Sequence, residues 1–365
     1  MKTPQASLMG VGVASPRGGL GQDAAIELAL QRCTSDERQQ AWLRRVYRHT
    51  RVQRRGSVLL RPGEGAEGFE NFFPPPLSAQ DRGPTTATRL QRYAKEAGPL
   101  AERACREALR NSQVEPHEIT HLVTVTCTGL VAPGLDSELP ERLGLSADIG
   151  RLNLGFMGCH GALNGMRAAS GLVRELPEAR VLLCCVELCS LHFQYGWDPQ
   201  KIVANGLFAD GAGAAILGPA DSQAQGWQLI EAQSRIAQHS SNAMTWSVGD
   251  HGFEMTLSSE VPKLIRASLG EWMQSWLARH DMSVRDVAHW AIHPGGPDIL
   301  QAVTQALSLP EQADAVSREV LAEHGNMSSP TVLFVLERLR AQAACGPCVM
   351  LGFGPGLAFE GVLLA

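Results

Sequence analysis

Short, continuously apolar runs alternate with helix-length amphipathic segments along most of this chain. His121-Leu-Val-Thr-Val-Thr, Arg180-Val-Leu-Leu-Cys-Cys-Val, Ala212-Gly-Ala-Ala-Ile-Leu, Trp290-Ala-Ile and Val349-Met-Leu-Gly-Phe read as strands. Their unbroken apolar character predicts strands covered on both faces. Amphipathic helices are predicted between them, near 87–112, 160–174, 260–280 and 329–343. Such alternation implies an α/β architecture with buried sheets. The Gly- and Pro-rich stretch 60–86 predicts an irregular surface excursion, and the polar, turn-rich stretch 218–226 a boundary between two halves, 1–222 and 223–365. No internal repeat is evident at the level of sequence.

Composition narrows this picture. With 365 residues, 44% of them hydrophobic, the chain can bury one large core or two fused ones. A formal net charge of −5 lacks the basic excess expected of a nucleic-acid binder. No run of about 18 apolar residues suggests a membrane span, and the N-terminus lacks a signal-peptide core. A soluble, cytoplasmic protein with no membrane partner is the expectation. Nine scattered Cys, an odd count, fit a reducing compartment better than a disulfide framework. Cys345-Gly-Pro-Cys348 has no second pair at zinc-site spacing. It therefore reads as small hydrophobes entering a strand, and no metal is expected.

Three residues carry candidate chemistry. Arg151-Leu-Asn-Leu reads as strand, Gly155-Phe-Met-Gly158 as a tight turn and His160 onward as helix. Cys159 thus falls at a strand-to-helix turn, where a helix N-terminus favours the thiolate. Taken alone, a Cys between glycines is more often a packing residue than a nucleophile. His293 ends a short strand and precedes Pro294-Gly-Gly-Pro297, so it is held extended. A core or loop His explains it equally well. Asn326 lies in the loop ahead of a helix whose N-cap is predicted at Ser329, with Pro330 at its first position. By itself it reads as a turn Asn.

Together the segments GFMGCHGALNG, AIHPGGPDIL, GNMSSPTVLFVLERL and GFGPGLAFEGVLL resemble the type III polyketide synthases, the chalcone-synthase-like enzymes. The resemblance is strong over 120–365 and loose before it. It implies a thiolase fold, a duplicated αβαβα five-layered architecture, with the nucleophilic Cys on the N-terminal half and the catalytic His and Asn on the other. It also implies a homodimer with acyl-CoA and malonyl-CoA as substrates and no bound cofactor. Cys159 matches the nucleophile, His293 the base, and His293 with Asn326 the pair that polarises a malonyl thioester. Phe208 matches an aromatic gate. Two preorganised N–H donors suit the oxyanion that forms as malonyl loses CO2.

The departures from plant chalcone synthases lie at substrate-facing positions. Ala132 stands where the plant enzymes have a Met that reaches the partner's cavity, and Cys127 where they have Thr. His192 replaces a Thr, Trp246 a cavity Gly, and Met255 a second gate Phe. Arg45, with Arg48 behind it, aligns with a basic helix for CoA phosphates. These changes look like bacterial alkylresorcinol or alkylpyrone synthases with fatty acyl starters. An initiation-type β-ketoacyl synthase, making one condensation, is the alternative, and a non-catalytic partner of the same fold is a more distant one.

Overall fold

A computed structural model describes residues 6–220 and 226–365, so the expected boundary at 222/223 lies outside the described residues. Nine strands form one continuous sheet. Across it they run His289–Ile292, Cys348–Gly354, Ala358–Leu364, Gln228–Ile236, Ala6–Ala14, Asp210–Pro219, Val181–Leu188, His121–Thr126 and Gly150–Gly155.

The order contains a duplication. In the first half, His121–Thr126 pairs parallel with Val181–Leu188, which pairs antiparallel with Asp210–Pro219, which pairs antiparallel with Ala6–Ala14. In the second half, His289–Ile292 pairs parallel with Cys348–Gly354, then antiparallel with Ala358–Leu364, then antiparallel with Gln228–Ile236. The two half-sheets meet at a short seam, Ala6 opposite Leu229 and Ser7 opposite Gln228. Spatial pairing therefore reveals a repeat that residue identities conceal.

Alternation along the strands divides the core into layers. Leu122, Leu182, Cys184, Val186, Ala212, Ala214 and Ile216 face the outer helix Thr86–Ser112. Val123, Val125, Val181, Leu183, Cys185, Ala215 and Leu217 face the opposite way, with helices Gly161–Glu175 and Thr331–Ala341. Ala291, Met350 and Val362 of the second half join that central cluster. Trp290, Ile292, Val349, Leu351 and Leu363 face out to helices Val261–Ala278 and Pro297–Leu307. Helix, sheet, helix pair, sheet and helix are the five layers that the resemblance implies.

The predicted strands and helices all appear, with ends that shift by a few residues. Stretch 60–86 is irregular apart from the short helix Ala66–Glu70. Two local expectations fail. Cys348 is buried at the start of its strand, but Cys345 is exposed. Ser329 does not cap the helix that starts at Thr331; Pro330 occupies the cap, and the Ser329 hydroxyl donates to Glu187 Oε1 at 2.6 Å.

The strand Ala6–Ala14 lies against the backbone of helix Thr86–Ser112. A Cβ on Gly12 would fall 2.2 Å from Ala108 N and 2.4 Å from Ala104 O. Both obstacles are main chain, so the helix or strand must shift. Gly12→Ala should lower unfolding free energy by about 1–3 kcal/mol in urea titrations. Gly171→Ala, in an exposed helical position with nothing near its Cβ, should be neutral or stabilise by about 0.5–1 kcal/mol.

Candidate active site

The turn that carries Cys159 is held by both halves of the chain. Strand Gly150–Gly155 ends at Phe156 (φ +57°), Gly158 follows at φ +71°, and a 3-10 turn, Gly158–His160, leads into helix Gly161–Glu175. A Cβ on Gly158 would fall 2.5 Å from Pro355 Cδ, and one on Gly354 would fall 2.3 Å from the His160 ring. The GFGPG segment thus presses directly on the Cys159 turn.

His293 continues its strand, with its N–H donating to Leu351 O at 2.7 Å. Asn326 is fixed to the segment that carries Phe208. Its N–H donates to Leu207 O at 2.9 Å, and its O accepts from Ala209 N at 2.9 Å, so Phe208 and Asn326 lie paired. The Asn326 Oδ1 accepts from Ser328 N at 2.8 Å. That leaves its NH2 group for the pocket.

Cys159, His293 and Asn326 line a single cavity with Leu207, Phe208, Met255, Ile299 and Phe353. Cys159 also lines a second, beside Cys127, Cys189, Trp246 and Ser328. A third is lined by His192, Trp246 and Phe253 together with Leu20, Ala25, Leu28 and Phe69. Phe208 and Met255 form walls of all three. The sequence thus locates Cys127, Phe208, His192, Trp246 and Met255 on cavity walls. Ala132 is exposed on its loop and lines none of these cavities. Arg45 and Arg48 are exposed on helix Glu37–His49, away from these walls. Arg48 borders a separate surface groove.

Electrostatics reverse one expectation. Burial pushes the Cys159 thiol up to about 11, with Ser328 and Asn326 side chains acting in the other direction. Burial, then the neighbouring His160, holds His293 down at about 3, and neither of its ring nitrogens has a hydrogen-bond partner among the described residues. Desolvation outweighs the helix end, and both groups are neutral at rest. Moving the thiol proton to the imidazole creates two opposite charges at once, which a dry pocket tolerates better than a lone thiolate.

The surrounding walls are pinned. His192 Nε2–H donates to Thr128 O at 2.8 Å, while Nδ1 accepts from Phe253 N at 2.9 Å. Its ring stacks on Phe253 at 4.3 Å, and burial keeps it neutral down to about 3. Trp246 Nε1–H donates to Cys127 O at 2.7 Å. Glu187 is the residue that sequence reasoning missed. It sits in a fully buried strand and accepts from Cys127 N, Thr128 Oγ1 and Ser329 Oγ, while burial raises its carboxyl. A charged residue within an apolar run was the available signal.

Residues 1–221 match the family described as chalcone and stilbene synthases, N-terminal domain, and residues 228–365 match its C-terminal domain. The chain belongs to this family, the type III polyketide synthases. An alpha-pyrone synthesis polyketide synthase-like protein, Pks18 of Mycobacterium tuberculosis, is 31% identical over 99% of this chain and 91% of its own. A 1,3,6,8-tetrahydroxynaphthalene synthase of Streptomyces peucetius is 32% identical over 98% and 92%. The crystal structure of PKS-I from the brown alga Ectocarpus siliculosus superposes with a TM-score of 0.91 at 30% identity, covering 100% of this chain and 99% of that one. This type III polyketide synthase is therefore a malonyl-CoA-dependent acyltransferase of thiolase fold, with CoA thioesters as substrates.

The buried histidines give the enzyme a characteristic acid sensitivity. Below an unfolded-state pKa of about 6.5, the unfolded chain binds protons that folded His192 and His293 refuse. Each then subtracts about 1.4 kcal/mol of stability per pH unit until pH falls to its folded value. The stability advantage of wild type over His192→Phe should therefore shrink between pH 7 and pH 5 in urea titrations. A constant difference would show that His192 titrates normally.

Proposed function

We propose that this enzyme condenses malonyl-CoA repeatedly, with loss of CO2, onto a fatty acyl starter held on Cys159. The product then closes to a pyrone- or resorcinol-type ring. The convergence of Cys159, unpartnered His293 and Asn326 on one cavity carries this reading.

In this reading His293 takes the thiol proton as Cys159 attacks the starter thioester, and CoA leaves. Malonyl-CoA next binds with its thioester oxygen between the His293 ring N–H and the Asn326 amide. Carboxylate departs as CO2, its electron pair forms the enolate, and these two donors stabilise the negative oxygen. The enolate carbon attacks the Cys159 thioester, and the chain grows by two carbons on CoA. Return of that chain to Cys159 begins another round.

The fatty acyl starter is supported by the apolar lining of the third cavity, where Leu20, Ala25, Leu28, Phe69 and Phe193 join Phe208 and Met255. The name of the Mycobacterium relative supports a pyrone product. Residues 1–222 and 223–365 act as the nucleophile-bearing and donor-bearing halves. Arg45 and Arg48 are assigned to CoA phosphates, which suits their solvent exposure. Ala132 on its exposed loop is assigned to the cavity of the partner subunit in a homodimer.

Cys159→Ala should abolish products yet retain malonyl-CoA decarboxylation, since the oxyanion donors remain. Asn326→Ala should slow decarboxylation by about 10²–10³-fold. Both follow from CO2 release and product chromatography. Mass spectrometry with acyl-CoA starters of increasing length tests the substrate. Long-chain starters should yield cyclic products extended by several malonyl units. A single extension requiring a carrier protein would replace this reading with an initiation-type β-ketoacyl synthase.

A further inference from the structure

Three thiols line one cavity: Cys159, Cys127 and Cys189. The condensation described above uses one of them. The main chain brings two together. Strand His121–Thr126 runs parallel to Gly150–Gly155 with Thr126 opposite Gly155, and Phe156 N–H donates to Thr126 O at 3.4 Å. Cys127 directly follows the first strand and Cys159 lies four residues beyond the second.

Ser328 Oγ lies 3.5 Å from Cys127 Sγ, and Ser328 lines the same cavity as Cys127 and Cys159. Cys127 Sγ–H donates to Glu187 Oε1 at 3.2 Å. This second thiol therefore has a carboxylate in position to receive its proton, as an attacking thiol requires. Gly158 beside Cys159, and a single 3-10 turn carrying it, leave the nucleophile on a short irregular segment instead of a rigid helix.

We propose that Cys159 and Cys127 form a reversible oxidation site, at which a peroxide converts the two thiols to a disulfide that blocks the nucleophile and spares it from irreversible oxidation. The inference rests on the reading of Cys159 as the residue deprotonated during catalysis, because the thiolate is the form that peroxide attacks. As His293 takes the Cys159 proton, hydrogen peroxide gives one oxygen to the sulfur, its O–O bond breaks, and the sulfenic acid forms while the leaving hydroxide takes the proton from His293 and departs as water. Cys127 Sγ then attacks the sulfenic sulfur. The S–S bond forms, the S–O bond breaks, and the Cys127 proton passes by way of Glu187 to the leaving hydroxide, which departs as water. Two thiols and one peroxide thus give one disulfide and two waters.

The full chain is first assayed for malonyl-CoA condensation and for acylation of Cys159 by acyl-CoA. This step judges the functional reading separately. It is then treated with hydrogen peroxide. Intact mass should fall by two hydrogens and activity should be lost. Peptide mapping should link Cys127 to Cys159, and dithiothreitol should restore mass and activity. Cys127→Ser should instead take up two oxygens on Cys159, with no recovery by dithiothreitol. Phenylarsine oxide, which bridges neighbouring thiols, provides a check that needs no variant: it should join Cys127 and Cys159 in the wild-type chain. Oxygen uptake on Cys159 of wild type without loss of hydrogens would overturn the proposal. So would a link between Cys159 and Cys189.

Discussion

The close approach of Gly354 and Pro355 to the turn Gly158–His160 is the contact on which the site depends. Two segments nearly two hundred residues apart meet with no room for a Cβ on either glycine. The first carries Cys159, and the second ends the strand beside the one that precedes His293. A methyl group at either position would separate the two halves where Cys159 and His293 must share a cavity. Packing at this seam, more than any hydrogen bond between the three side chains, fixes their relative positions.

The duplication explains why those side chains can come from distant parts of the chain. Cys127 follows the strand His121–Thr126, and His293 follows its counterpart His289–Ile292. Cys159 precedes the central helix Gly161–Glu175, and Asn326 lies a few residues before its counterpart Thr331–Ala341. Corresponding loops of two similar halves therefore converge on one space between them. Each half supplies positions and the sequence supplies different chemistry at each. The buried carboxylate of Glu187 joins the halves by accepting from Thr128 of the first and Ser329 of the second.

Much of this was legible in the sequence, for physical reasons that can be named. Buried strands have no polar alternation, so apolar runs such as Val181–Leu188 declared themselves. The turn at Cys159 was legible because Gly155 and Gly158 punctuate the sequence between an apolar strand and a helix, and Gly158 adopts φ +71°. His293 and Asn326 became convincing through their neighbours. Other features depend on which groups meet in space. Ser329 resembled a helix cap because capping is a local pattern, whereas its true partner is Glu187, 142 residues away. The pairing of Phe208 with Asn326 likewise joins residues with no common local signal.

The charge state of Cys159 depends on more than its local sequence. A helix N-terminus favours a thiolate, and that inference from the sequence is sound as far as it goes. Desolvation works against it, and desolvation is a property of every layer packed around the site. Here it dominates, raising Cys159 and lowering His293 together. The same dry walls make a hydrogen bond to a developing oxyanion far stronger than it would be in water. Burial therefore opposes the resting ion pair and favours stabilisation of the enolate. A site built for decarboxylation benefits from that exchange, since negative charge is then stabilised most where it appears during the reaction.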